Sequence, residues 1–330
     1  MMRSYLALIC VALLLVGLFA IAKSPYPTPN MPMTQYTMDN GTLAHTMTSN
    51  LFEEGDQATY PPWSCLWRPF NASQSLLYHG DLWFCNNIRA DCSPEGETYG
   101  DWVNINGSSG LYRPGDAGWP SGEPVLSEHD TLAFFNDHSR IGVDVKRHSL
   151  MWDNSLDADY CILQYFITNT TSSTLTDLYV ARFDDFDLVG MGSGYMDNVV
   201  GSDAASKTTW SRDNLYSPNC WVGLRGMNFD FTGMNYWNIY QDPGSESEII
   251  DLMHGGYWPD ASTANDWRML AIYGPFTLTP GTTRNFSIAI AFGINYGDMM
   301  SNLNRAKSRY QQGTPEVEPT TLGRIKGIYR

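Results

Sequence analysis

Residues 285–292 alternate strictly. Phe286, Ile288, Ile290 and Phe292 fall on one side, and Ser287, Ala289 and Ala291 on the other. A period of two is the repeat of an extended chain, whose successive side chains point to opposite faces. A helix would scatter these side chains around its axis, so the segment is expected to bury as a strand. The pattern recurs. Gly142–Trp152 places Val143, Val145 and Arg147 on one face. Tyr160–Thr168 (YCILQYFIT) and Leu175–Phe183 (LTDLYVARF) are long runs rich in aromatic and β-branched residues. The polar stretch Asn169–Thr174 between them predicts a hairpin.

Shorter strands are expected at Leu43–Ser49, Leu132–Phe135, Cys220–Leu224 and Trp267–Tyr273. Ser75–Cys85 is two apolar runs broken by Gly80-Asp81, which predicts a kinked or bulged pair. Only Asp298–Gln312 has helical spacing: Leu303, Ala306, Lys307 and Tyr310 share a face, Asp298 or Ser301 can cap it, and Gly313 can end it. The expected fold is therefore all-β: an antiparallel β-sandwich with long loops and one C-terminal helix, spanning residues 39–312. A Pro-rich extended lead-in (23–38) precedes it and a tail (313–330) follows it. Residues 93–128, rich in Gly, Ser and Pro, form the longest expected loop.

The chain opens with Arg3, then an apolar run from Tyr5 to Ala22 that ends small-x-small at Ala20 and Ala22. This is the pattern of a secretory signal peptide, residues 1–22. The run sits at the lower limit for a membrane span of roughly 20 residues, so a retained anchor is the alternative. With the signal removed, no membrane span is expected, and the protein is secreted or held at the cell surface. The formal charge of −15 makes a phosphate backbone a poor partner, so nucleic acid is excluded. Past the apolar run lie Cys65, Cys85, Cys92, Cys161 and Cys220. In an oxidising compartment some should pair; Cys85–Cys92 closes a short loop and Cys161–Cys220 is the long-range candidate, while the spacing leaves the connectivity open. An odd number leaves at least one thiol over. Sequons begin at Asn40, Asn71, Asn106, Asn169 and Asn285.

The densest chemistry is Asp184-Asp185-Phe186-Asp187, followed by Asp197, Asp203 and Asp213, where a long strand runs into a loop containing Gly190, Gly192 and Gly194. Hard cations take six to eight oxygens, and Asp-rich loops supply them. Asp185 and Asp187 point to one face of a strand, so they and Asp197 are the candidate Ca²⁺ ligands. The same 184–213 acids could instead supply the carboxylate pair of a glycoside hydrolase. Gly190-x-Gly192-x-Gly194 is not followed by a helix and is ringed by acids, which excludes a dinucleotide loop. No G-x-S-x-G or H-E-x-x-H occurs, and no catalytic residue is assigned. Of the 11 tryptophans, Trp119, Trp237 and Trp258 lie in polar, turn-rich contexts. Flat rings there suit stacking on sugars, which makes them candidate ligand-binding residues.

Four segments carry a resemblance. They are LLYHGDLWFC (76–85), Ser127-Glu-His-Asp130, Tyr165–Asp187 (YFITNTTSSTLTDLYVARFDDFD), and Asp266-Trp-Arg268 with GPFTLTPG (274–281). Together they resemble an uncharacterised domain of exported bacterial surface proteins, with "Y-x-I-x-N … D-x-D" and "GPF-x-L-x-PG" elements, over residues 40–312. The resemblance implies a β-sandwich on or outside the cell and brings no catalytic residues. Leu322-Gly-Arg-Ile-Lys326 is similar to short C-terminal tails of such proteins, with Leu322 where they have Trp. The expected function is an exported, non-catalytic module, structural or glycan-binding, whose partners are glycans or other surface proteins. The alternative is a carbohydrate-active enzyme using the 184–213 acids. One consequence is direct: Edman sequencing of the secreted protein should start at Lys23-Ser-Pro, and an intact Met1 in the membrane fraction would contradict export with cleavage.

Overall fold

The structure is a computed structural model. It describes residues 35–48, 53–54, 65–70, 75–92, 102–104, 110–137, 139–188, 196–215 and 219–313. The signal peptide, most of the lead-in, the triple-glycine loop and the tail beyond 313 lie outside the described residues.

Strands are numbered in chain order. A nine-stranded antiparallel sheet runs from β13 (Asn198–Asp203) through β14 (Thr208–Asp213), β15 (Trp221–Gly226), β18 (Thr283–Gly293), β11 (Tyr160–Asn169), β10 (Val143–Met151) and β9 (His129–Asn136) to β7 (Val103–Asn104), with β8 (Leu111–Tyr112) also on β9. A six-stranded sheet runs from β16 (Gly233–Asn238) through β17 (Trp267–Leu278), β12 (Leu175–Asp185) and β5 (His79–Cys85) to β3 (Glu53–Glu54), with β6 (Ala90–Asp91) also on β5. A small third sheet pairs β1 (Gln35–Asp39), β2 (Leu43–Thr48) and β4 (Cys65–Trp67). The all-β expectation holds.

The inner faces form one core. Leu163, Tyr165 and Ile167 of β11 and Phe286, Ile288, Ile290 and Phe292 of β18 meet Leu82, Phe84, Val180, Met269 and Ala271 from the other sheet. The 285–292 alternation is borne out, but its second face is buried too. Ala289 and Ala291 pack under the C-terminal helix, against Met299, Leu303 and Ala306. That helix spans Tyr296–Gly313, starting two residues before the expected Asp298. The small Ala side chains let a helix lie close on the sheet.

A second helix, Glu246–His254, was not expected. Here it is α1 and the C-terminal helix α2. Its signal is local. Ser245 caps it by accepting from the Glu248 N–H at 3.3 Å, and Glu248 reaches back to the Gly244 N–H at 2.6 Å. Ser-x-x-Glu is close to a capping box. Ile249 and Met253 of α1 cover Trp83, Phe183 and Leu270 on the outer face of the six-stranded sheet.

Three further expectations are corrected. Tyr160–Asn169 and Leu175–Asp185 do not pair; they enter opposite sheets. The connection is a corner built by Asn169, fully buried, whose amide donates to Ser173 O at 2.8 Å and Leu278 O at 3.0 Å. Its Oδ1 accepts from the Thr171 N–H and hydroxyl, both at 2.8 Å. That sequon therefore serves the turn. The Asn40 sequon does likewise, accepting from Thr42 N and Leu43 N. The five described cysteines are all buried, and no disulfide joins Cys85 to Cys92 or Cys161 to Cys220. Cys161 Sγ instead lies 3.2 Å from His45 Nδ1. Finally, β5 runs unbroken through Gly80-Asp81.

Gly80 has a packing role rather than a bending one. A Cβ there would sit 2.2 Å from Arg182 Nη2. Arg182 cannot swing away: it is fully buried and held by Asp184 at 2.7 Å and the Tyr165 hydroxyl at 3.3 Å. Gly80→Ala should therefore lower stability by about 1–3 kcal/mol, the cost of overpacking a filled interior. An unchanged denaturant midpoint would refute this reading.

Candidate metal centre

Strand β12 alternates two kinds of buried polar residue. Val180, Arg182 and Asp184 form one face, and Ala181, Phe183 and Asp185 the other. Val180 belongs to the inter-sheet core, whereas Ala181 and Phe183 belong to the face under α1. Register then aligns a row across four strands: His79 pairs with Asp185, Asp185 with Arg268, and Arg268 with Trp237. Directly paired residues share a face, so this row lies at the end of the helix-covered face. Arg268 Nε donates to Asp185 Oδ2 at 3.1 Å, and its Nη1 pairs with Asp242.

Two more acids reach the same place. Past β12, the Asp187 N–H donates to Leu76 O at 3.1 Å, pinning the chain beside β5. Asp266 arrives on the segment that closes the open edge of the sandwich. That segment pairs Asn265 with Asn198 of β13 and Tyr257 with Met234 of β16, bridging the two sheets. One carboxylate oxygen from each of Asp185, Asp187 and Asp266 lies within 4.8 Å of the others. Two ligands 2.3–2.6 Å from a calcium ion are at most about 4.6–5.2 Å apart, so the trio is close enough to hold a metal ion. Asp266 is 4% exposed, and among the described residues neither its carboxylate nor that of Asp187 makes a hydrogen bond or ion pair.

The electrostatics follow. Burial, then the charges of Asp187, Asp266, Asp242 and Asp184, hold the Asp185 carboxyl well above the usual range. Burial and Asp266 push Asp187 up to about 7, and burial and Asp242 push Asp266 up to about 6. Burial pulls Arg268 down to about 10. Arg268 pairs with Asp185 and Asp242, while Asp187 and Asp266 add two more carboxylates beside Asp185. Such a cluster is neutralised by protons or by a cation, and the trio can hold a metal ion.

The structure brings together two of the three expected ligands. Asp185 and Asp187 do converge, but Asp197 is a half-buried residue outside the trio, and Asp266 takes its place. The distance in sequence hid Asp266. The signal was nonetheless present in Asp266-Trp-Arg268, which supplies both a third acid and the counter-charge. Of the expected sugar-stacking residues, Trp237 is corrected. It is 5% exposed, its rings pack against Trp83 and Phe183, and its N–H donates to Asp242 at 2.9 Å. Its ring faces are occupied by protein. Trp119 is half-buried, donating to Glu123 O at 3.3 Å, with its ring edge-on to His148. Trp258 is half-buried, with Lys207 Nζ 4.9 Å from its ring centre.

Ser127, Asp130 and His148 also meet, but in an order that gives no nucleophile. The carboxylate sits in the middle, accepting from the Ser127 hydroxyl, from His148 Nε2 at 3.0 Å, and from the Leu126 and Ser127 N–H groups at 2.7 and 2.9 Å. An activated serine needs the imidazole as its own partner. Asp130 instead organises a loop.

No protein-family model matches the sequence, and no curated protein does. Among solved structures, the chain is similar to "Putative kojibiose phosphorylase from human microbiome", with a TM-score of 0.34 and 8% identity over 84% of this chain and 32% of that one. The chain spans about a third of that protein's length.

The raised acids set a pH dependence. An acid whose folded pKa exceeds its unfolded value holds a proton that unfolding releases, so stability is greatest below the unfolded value and falls as pH rises through the folded one. With Asp187 near 7 and Asp266 near 6 against an ordinary 3.8, the loss should run from roughly pH 4 to about pH 7 in EDTA. Asp266→Asn should flatten that slope and raise the melting temperature at pH 8 by removing a buried like charge. A wild-type midpoint independent of pH over this window would contradict the electrostatic account.

Proposed function

We propose that the chain is an exported, non-catalytic β-sandwich module of the cell surface or its surroundings, of the kind its sequence segments resemble. It holds Ca²⁺ between Asp185, Asp187 and Asp266 and contacts glycan through Trp119 and Trp258. The observation that carries this reading is the trio itself: three largely buried carboxylates within 4.8 Å, two of them with no protein partner among the described residues. An ion there would tie the end of β12 to the segment that closes the sandwich, making the cation a structural clasp. Glycan contact rests on less: two half-buried tryptophans in polar segments, whose rings are amphipathic and rigid.

One observation favours a second reading, a carbohydrate-active enzyme. Asp187, pushed up to about 7, is about half protonated at neutral pH and sits beside other carboxylates, so it could serve as a general acid. The trio's spacing is far tighter than the 6.5–9.5 Å of an inverting pair, so only a retaining geometry of about 5–5.5 Å comes near it. Asp185, the partner such an enzyme would need, is engaged by Arg268.

The two readings part in one set of measurements. If the ion binds the folded state alone, stability rises by RT ln(1 + [L]/Kd), about 2.7 kcal/mol at a hundredfold excess over Kd. The melting temperature should rise from EDTA to millimolar Ca²⁺, and Asp187→Ala should lose the response. No polysaccharide should be cleaved, and Trp119→Ala with Trp258→Ala should weaken glycan binding by on the order of 1–3 kcal/mol. An identical midpoint with and without calcium would remove the clasp. Reducing-sugar release abolished by Asp187→Asn in a folded protein would establish the enzyme instead.

A further inference from the structure

A cavity of about 190 Å³ lies on the opposite side of the molecule's layers from the acid trio, between the outer face of the nine-stranded sheet and the last turn of α2. Its floor is apolar: Leu126, Leu150 and Ile162. Its other walls include Trp152, Arg309 and Tyr310. Three observations converge there. First, the cavity is somewhat larger than the roughly 150 Å³ that accommodates benzene in an engineered protein interior, so a single ring fits. Second, the Trp152 indole is 3% exposed and its N–H has no hydrogen-bond acceptor among the described residues. A buried donor left without an acceptor is costly; Trp67 is supplied by Asp159 at 2.7 Å and Trp102 by Leu82 O at 3.0 Å, whereas Trp83, packed away from this cavity under α1, shares the lack with Trp152. Third, Arg309 lies with its guanidinium 5.4 Å from the centre of the Trp152 ring and, among the described residues, makes no ion pair or hydrogen bond. In a chain of formal charge −15, that is a cation without a carboxylate partner.

We propose that this cavity is a binding site for a small apolar molecule bearing one carboxylate, its ring or short chain on Leu126, Leu150 and Ile162 and its anion between Arg309 and the Trp152 N–H. The three features have complementary demands. The floor selects an apolar body, the indole demands an acceptor, and the guanidinium selects a negative one. Tyr310 closes one side and is held in place by Asn285, whose amide donates to its hydroxyl at 3.3 Å.

Benzoate is the probe, with toluene and benzylamine as its uncharged and cationic counterparts. In the ¹⁵N-labelled protein, the Trp152 indole resonance is identified by its loss in Trp152→Phe. Benzoate should shift it saturably and raise the melting temperature, while benzylamine should not. Arg309→Gln should weaken benzoate about tenfold without changing the melting temperature of the unliganded protein, and this arm stands even if Trp152→Phe fails to fold. Absence of any shift with benzoate would overturn the proposal, leaving a water-filled space. Equal binding of toluene and benzoate, unaffected by Arg309→Gln, would overturn the anionic part. Benzoate binding that appears only after deletion of residues 314–330 would show that the chain's own tail is the occupant, which also overturns it.

Discussion

The ion pair between Asp185 and Arg268 is the interaction on which the functional end of this protein depends. Both side chains are almost fully buried. Each alone would be prohibitive there, since an isolated charge in the interior carries a desolvation penalty of several kcal/mol. Their strands are hydrogen-bonded neighbours, and the register places the two residues directly opposite one another. The β12–β17 pairing therefore fixes more than backbone geometry. A one-residue slip would send each of them to the other face of the sheet and leave two separated charges in the core.

The pair does not balance its surroundings. Asp242 contacts the same guanidinium and Asp187 and Asp266 crowd beside Asp185, and burial with this like charge raises the proton affinities of all three. This distinguishes the trio from the other buried acids. Asp130 is surrounded by donors from Ser127, Leu126 and His148. Asp137 accepts from the Ser139, Ile141 and Gly142 N–H groups. Those carboxylates hold loops together, and their charge is compensated by hydrogen bonds. Asp187 and Asp266 have no such compensation among the described residues, which is why the cation reading attaches to them and not to the acidic composition at large.

The layers divide the chemistry. The inter-sheet core is mostly apolar, while each outer face is covered by a helix only in part. The buried acid row lies at one end of the face under α1, and the cavity floored by Leu150 and Ile162 lies beside the last turn of α2. Neither position is visible in the helical periodicity of 298–312, because that pattern specifies a face and not the length of sheet it will shield.

The sequence by itself determined the longer strands, the all-β class, the C-terminal helix and two of the three clustered acids, but not the strands Asn198–Asp203, Thr208–Asp213 and Gly233–Asn238, whose segments read as polar loop. What it did determine follows from local rules: alternation decides which side of a strand is buried, and Asp187 lies two residues on from Asp185, just past the strand's end. Tertiary structure alone decided the rest. Tyr160–Asn169 and Leu175–Asp185 look like hairpin partners because both are long, apolar and joined by a short polar stretch. A hairpin and a corner between sheets share that pattern, and the difference lies in whether Asn169 finds Leu278 O, a partner more than 100 residues away. Asp266 joined the trio through a segment whose course is set by the edges of both sheets, and Trp237 went to the core because α1 and Asp242 were there to receive it. Spacing along a chain records which face a residue occupies. It does not record which distant residue will share that face, since the contacts that decide it exist only once the sheets have packed.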